Sequence, residues 1–228
     1  MSSHKKTARI VGVLFLILLI TGISGIMLRE LSPSLKDVFE NSTHIKISIL
    51  LDLIASTVAV GIAVMLFPIL KKFNQNIALW YFGFSIIGFA TIVVSNVSVY
   101  SLLTLSEEYV KLGSPDTDYF QTLGVLKIGE YFGAHFIGLI VHTIGASMFY
   151  YLLYQSNLIP RFFSVWGLIA ITLVLTATLL QIFDRSVSMY LYLPNGLLQV
   201  LIGIWLIVKG FNSSAIISQS TKTEIDRI

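Results

Sequence analysis

Residues 8–28 read ARIVGVLFLILLITGISGIML, an apolar run with one charged side chain, Arg9. A helix of about 20 apolar residues spans the hydrocarbon core of a bilayer. Five similar runs follow, and the predicted spans are residues 8–28, 45–70, 77–105, 131–154, 162–183 and 190–208. The sequence therefore predicts an all-α fold, a polytopic transmembrane helical bundle of about six spans.

The first run also follows Lys5 and Lys6, as the apolar part of a secretory signal does. It is longer than that part of a typical signal, and no A-x-A-like cleavage site precedes Arg29. We interpret it as a retained first span.

Hydrophobic residues make up 55% of the 228-residue chain and charged residues 12%, against roughly a quarter charged in a soluble domain. The joints between the spans are too short for a separate folded module. We expect one transmembrane domain over residues 1–212, followed by a short, mobile cytoplasmic tail at 213–228.

Basic residues cluster beside the spans, so the pI near 9.0 indicates contact with membrane lipids and no nucleic-acid role. The absence of cysteine excludes disulfides, thiolate metal sites and cysteine nucleophiles. One set of joints carries nine basic and two acidic residues, whereas the other carries six basic and nine acidic residues. The positive-inside pattern then predicts that both termini are cytoplasmic. In the acidic set, residues 118–130 predict either a short helix over the outer mouth or an N-terminal extension of the fourth span.

Polar side chains inside spans are costly and therefore informative. They concentrate in the outer halves, and comprise Asp52, Asn96, His135, His142, Gln181, Asn195 and Gln199. Asp52 either snorkels beside Lys46 or takes a functional role, with His135 or His142 as its partner.

His135, Gly138, His142 and Gly145 recur at steps of three and four, which places them on one face of the fourth span. Gly129 and Gly133 have the G-x-x-x-G spacing that allows close helix approach. The histidines on this face either hydrogen-bond to a neighbouring helix as packing contacts or line a polar pocket.

Catalytic and metal sites are not indicated. His135 and His142 lie two turns apart, roughly 10 Å along a helix, which is too far for one ion. No G-x-S-x-G elbow or phosphate-binding glycine loop occurs, and none of the serines Ser95, Ser98 and Ser147 has a base nearby in sequence. We expect no cofactor.

Two segments, Ser156 to Ile169 and Leu193 to Asn212, resemble signature regions of a bacterial membrane family, domain of unknown function 4386. The opening residues 8–12 are similar to the family's start as well. The resemblance implies a multi-pass bundle in the bacterial inner membrane, and it implies no activity. This chain has Ser85, Gly88 and Gln199 at positions where the family often carries charged residues, which disfavours a charge-driven mechanism.

The leading hypothesis is a non-enzymatic bundle that binds a lipid, a small amphiphile or a membrane partner through its outer polar face. Its candidate residues are Asp52, Asn96, His135, His142 and Gln199. A small-solute or proton-coupled transporter is the first alternative, although no polar group in the inner half completes a path and no internal repeat is visible. An intramembrane lipid-modifying enzyme is the second.

Overall fold

The computed structural model describes residues 3–115 and 118–216, and these are helical with short joints. The helices are α1 (Ser3–Leu28), α2 (Leu35–Glu40), α3 (Ser42–Leu70), α4 (Gln75–Lys111), α5 (Asp118–Ser156), α6 (Arg161–Ile182) and α7 (Leu193–Val208). All except α2 belong to segments long and apolar enough to cross a membrane. The predicted multi-pass helical bundle is confirmed.

The six long helices form a ring. Each packs against the next long helix along the chain, and α1 also packs against α7, which closes the ring. Successive spans run in opposite directions, so Lys5, Lys71, Arg161 and Lys209 lie at one end, which we call the basic end. The opposite end, where Glu30, Glu107, Asp118 and Asp184 lie, is the acidic end.

Helices α4 and α5 extend furthest beyond their predicted spans. Helix α4 continues from residue 105 to Lys111, and α5 begins at Asp118, so residues 118–130 form the N-terminal extension of the fourth span. The 37 residues of α4 measure about 55 Å at about 1.5 Å per residue, whereas the hydrocarbon core is about 30 Å thick. The α4–α5 hairpin therefore projects beyond the bilayer at the acidic end.

The short helix α2 was not predicted from the sequence. Ser34 begins it, because its Oγ accepts a hydrogen bond from the backbone N–H of Asp37. Its buried Leu35 and Val38 pack into an apolar cluster with residues of α3, α4 and α5, such as Ile45 and Leu102. Helix α2 thus lies at the acidic end against α3, α4 and α5.

The larger apolar core lies toward the basic end. It joins all six long helices and includes Val11, Leu66, Tyr81, Leu152 and Leu206. The rings of Phe15 in α1 and Phe149 in α5 meet across the bundle, with their centroids 6.0 Å apart. This half of the bundle is therefore filled with side chains.

Glycines set the closest helix crossings. A Cβ atom added to Gly12 of α1 would lie 2.6 Å from the carbonyl oxygen of Gly203 in α7, so the two backbones touch there. Gly138 and Gly145 of α5 instead face side chains of α4, since an added Cβ would lie 2.8 Å from Thr91 Oγ1 and 2.9 Å from Phe84 Cβ, respectively. These contacts need residues without a side chain.

The close helix approach predicted for Gly129 and Gly133 is wrong. An added Cβ at either position would have nothing within 4 Å. Both glycines lie on an exposed face of α5, because the neighbouring helix packs against the Gly138 and Gly145 side instead.

The chain after α7 packs against the bundle as far as it is described. Gly210 adopts φ +74°, a left-handed conformation that turns the chain at the helix end. The backbone N–H of Asn212 then donates to the carbonyl of Leu158 at 2.9 Å, and Ile216 is buried in the large core. Residues 213–216 of the predicted tail thus pack against the bundle, and its remainder at 217–228 lies outside the described residues.

Candidate functional site

Arg29 organises the polar groups at the acidic end. It directly follows the last residue of α1, and its side chain is only 6% exposed. Sequence reasoning counted it among the charges of an outer joint, which is wrong, because the guanidinium turns into the bundle between α3, α4 and α5.

The guanidinium contacts one side chain or more from each of those three helices. Its Nη1 lies 2.7 Å from Asp52 Oδ2 in an ion pair, and it donates to Tyr131 Oη at 3.3 Å. Its Nη2 donates to Asn96 Oδ1 at 2.8 Å, and its Nε donates to Ser48 Oγ at 3.1 Å. A buried charge is tolerated when it is both paired and hydrogen-bonded in this way. We call these five residues, with the adjacent His135, the Arg29 cluster.

Helix geometry orients the acceptors. Asn96 is 4% exposed, and its Nδ2 donates to the carbonyl of Ile92 one turn earlier, which directs Oδ1 toward Arg29. Ser48 likewise donates its hydroxyl proton to the carbonyl of Ile45 and leaves an oxygen lone pair for Arg29.

Asp52 does not adopt either of the positions expected for it. Lys46 pairs instead with Glu107, at 3.2 Å, and neither His135 nor His142 makes an ion pair with Asp52 among the described residues. The partner of Asp52 is Arg29. The carboxylate fits beside α1 because Gly25 has no side chain: a Cβ there would lie 3.0 Å from Asp52 Oδ1.

His135 lies at the edge of the cluster, one helical turn after Tyr131. The two rings stack with centroids 5.6 Å apart, and the guanidinium of Arg29 lies over the same Tyr131 ring, 5.1 Å from its centroid. The imidazole is half-buried, and neither of its nitrogens makes a hydrogen bond within residues 3–115 and 118–216. His135 is therefore a polar group at the cluster with free hydrogen-bonding capacity.

Two of the sequence-predicted residues lie apart from the cluster. His142 is two turns further along α5 and is exposed on the outside of the bundle. Gln199 is half-buried in α7 and makes no hydrogen bond to the cluster. The structure thus brings together Asp52, Asn96 and His135 of the five candidates, adds Arg29, Ser48 and Tyr131, and leaves His142 and Gln199 outside.

The described part of the chain contains no group of three or more histidine, cysteine, aspartate or glutamate side chains that could hold a metal ion. Of the serines inside the spans, Ser95 and Ser147 are engaged with their own helices, whereas the Oγ of the buried Ser164 has no hydrogen-bond partner among the described residues. Ser95 donates to the carbonyl of Ile92, and Ser147 donates to the carbonyl of Thr143. The chemistry available in the Arg29 cluster is therefore hydrogen bonding and charge pairing.

Comparisons with curated proteins and with solved structures gave no match. A family model does match, over residues 10–210, and this range includes most of α1, the other five long helices in full and every residue of the Arg29 cluster. The chain therefore belongs to the family described as Domain of unknown function (DUF4386).

Proposed function

We propose that this membrane protein is a non-enzymatic binding protein, and that the Arg29 cluster holds the polar head of a lipid or a small amphiphile. The observation that carries the proposal is a buried cation that gathers polar groups from three helices at one level of the bundle. Such an arrangement is costly within a membrane, and polar groups placed there commonly serve a function.

The cluster retains capacity for a ligand. Arg29 has five N–H groups, and four donor contacts to protein oxygens occupy most of them. Asp52 Oδ1 accepts no hydrogen bond from the described residues, the Asp52 side chain is 16% exposed, and His135 has both nitrogens free. A ligand head can thus meet an acceptor and a donor side by side.

The charge of the cluster indicates which head groups fit. Arg29 and Asp52 neutralise each other at 2.7 Å, so the cluster has no excess positive charge to attract a strongly anionic head. A neutral or zwitterionic head, which offers a donor to Asp52 and an acceptor to His135, is the better match.

Binding accounts for the structure better than transport does. The half of the bundle between the cluster and the basic end contains the large apolar core. Its buried polar groups include hydroxyls that bond within their own helices, such as those of Thr143 and Ser156. A transported polar solute needs a hydrated or polar path, and this packing favours a site that opens toward one leaflet.

The two histidines of α5 provide a matched test. We expect His135→Ala and Asp52→Asn to weaken binding of lysophosphatidylethanolamine to the purified protein by roughly tenfold or more, because a hydrogen bond to a charged group contributes about 1.5–3 kcal/mol. His142→Ala, which removes the same side chain two turns away, leaves binding unchanged. Native mass spectrometry in detergent measures the bound fraction. Equal loss in both histidine variants would refute the proposed site, and unchanged binding with a lowered thermal midpoint would show that the cluster is a packing contact.

We further propose that the protein lies in a bacterial inner membrane with both termini in the cytoplasm, so that the Arg29 cluster faces the outer leaflet. The support is the excess of basic residues at one end. Since the chain has no cysteine, single cysteines report orientation directly. We expect Lys36→Cys to react with a membrane-impermeant maleimide in cells whose inner membrane is intact, and Gln155→Cys to react only after that membrane is permeabilised. The reverse pattern would invert the topology.

A further inference from the structure

The two segments at the basic end that resemble family signatures meet in space. Residues 157–161, which lead into α6, and residues 205 and 209–212, at the end of α7, line one cavity of about 530 Å³. The hydrogen bond from Asn212 N–H to the Leu158 carbonyl, at 2.9 Å, ties the two segments together. The cavity is therefore built from chain-distant residues and is not a gap at a single helix end.

Two cations line this cavity without a counter-charge. Arg161 and Lys209 are both exposed lining residues, and neither makes an ion pair within residues 3–115 and 118–216. The guanidinium of Arg161 lies over the Tyr154 ring, with its Cζ 5.2 Å from the ring centroid. Two positive charges that line one cavity without a paired carboxylate favour an anion there.

The remaining wall of the cavity is apolar. Trp205 is half-buried and packs against Phe163 with ring centroids 5.5 Å apart, and Phe211 and Leu158 are buried. Tryptophan at the end of a span lies at the level of the lipid head groups. A neighbouring cavity of about 410 Å³ has no charged residue in its lining, so the combination of charge and apolar wall distinguishes the first.

We propose that this cavity binds the phosphate head of an anionic phospholipid from the leaflet at the basic end, with Arg161 and Lys209 on the phosphate and Trp205 beside the glycerol and acyl carbons. Basic pockets between membrane helices recognise anionic head groups in this way. The site lies at the opposite end of the bundle from the Arg29 cluster and takes the opposite class of head group. It does not depend on the function proposed for that cluster.

Two double variants that each remove two positive charges distinguish lipid binding in this cavity from general attraction of anionic lipid to the basic end. Arg161→Gln with Lys209→Gln removes the cavity cations, whereas Lys71→Gln with Lys72→Gln removes two charges at the same end outside the cavity lining. The wild-type protein in nanodiscs of mixed phosphatidylglycerol and phosphatidylethanolamine is the reference. Native mass spectrometry counts the phosphatidylglycerol molecules that stay bound after release from the nanodisc.

We expect the cavity variant to lose retained phosphatidylglycerol by about tenfold or more, and the Lys71 and Lys72 variant to keep it. Inorganic phosphate at millimolar concentration is expected not to displace the lipid. Equal loss in both double variants would overturn the proposal, and displacement by inorganic phosphate would assign the cavity to a soluble anion. If the cavity variant fails to fold, Lys209→Gln alone is compared with Lys71→Gln by the same criteria.

Discussion

Arg29→Ala is expected to lower the free energy of unfolding by about 3–5 kcal/mol, because it leaves the Asp52 carboxylate buried without its partner. The same change removes the donor from three further oxygens, those of Ser48, Asn96 and Tyr131. Reversible unfolding in mixed micelles, followed by tryptophan fluorescence, measures the loss.

Two controls give this prediction its specificity. Lys46→Ala breaks the ion pair between Lys46 and Glu107, two side chains that are 50% and 38% exposed. We expect this change to lower the free energy of unfolding by less than about 1 kcal/mol. The double change Arg29→Met with Asp52→Leu removes both charges, and we expect it to recover much of the loss from Arg29→Ala. A cost for Arg29→Ala as small as that for Lys46→Ala would show that the guanidinium is not held inside the bundle.

Gly12→Leu is expected to be the most damaging substitution of a glycine in α1. A Cβ atom at this position would lie 2.6 Å from the Gly203 carbonyl oxygen and 2.8 Å from Ile207 Cγ1. A backbone oxygen cannot move aside as a flexible side chain can, so α1 and α7 must separate. Overpacking typically costs about 1–3 kcal/mol, and a bulky side chain between two touching backbones falls at the upper end of that range.

Gly22→Leu is the matched control in the same helix, since an added Cβ there meets nothing within 4 Å. We expect this change to be neutral or stabilising, because leucine favours a helix over glycine by roughly 0.5–1 kcal/mol. The two variants are compared by their thermal unfolding midpoints in the same detergent. A Gly12 variant as stable as the Gly22 variant would contradict the close α1–α7 contact.

The spans could be predicted from the sequence because a bilayer imposes a length and a polarity on each helix, and residues 8–28 satisfy both. The C-terminal end of α4 and the N-terminal end of α5 could not be predicted in this way. Beyond the hydrocarbon core a helix is free to carry charge, as in the Lys127–Glu130 pair, so hydropathy no longer marks its limit. The resemblance to the family was confirmed by the match over residues 10–210.

The sequence-based prediction placed Arg29 in an outer joint for a related reason. A charge that directly follows an apolar run usually faces water, and nothing within the run shows that it turns inward. The available signal was Asp52, a carboxylate within the adjacent span that needed a cation. Periodicity also placed His135 and His142 on one face of α5, yet only the packing of α4 and the position of Tyr131 decide that His135 reaches the cluster and His142 does not.

The most direct test of the binding proposal is to locate a bound lipid head. A phosphatidylethanolamine analogue with a photoreactive group in its head, added to the protein in nanodiscs and activated by light, marks the residues it contacts. We expect peptide mass spectrometry to find the adducts concentrated at residues 25–29, 48–52 and 131–135. Adducts spread evenly over the lipid-facing surface, including the region of His142, would contradict a head-group site at the Arg29 cluster.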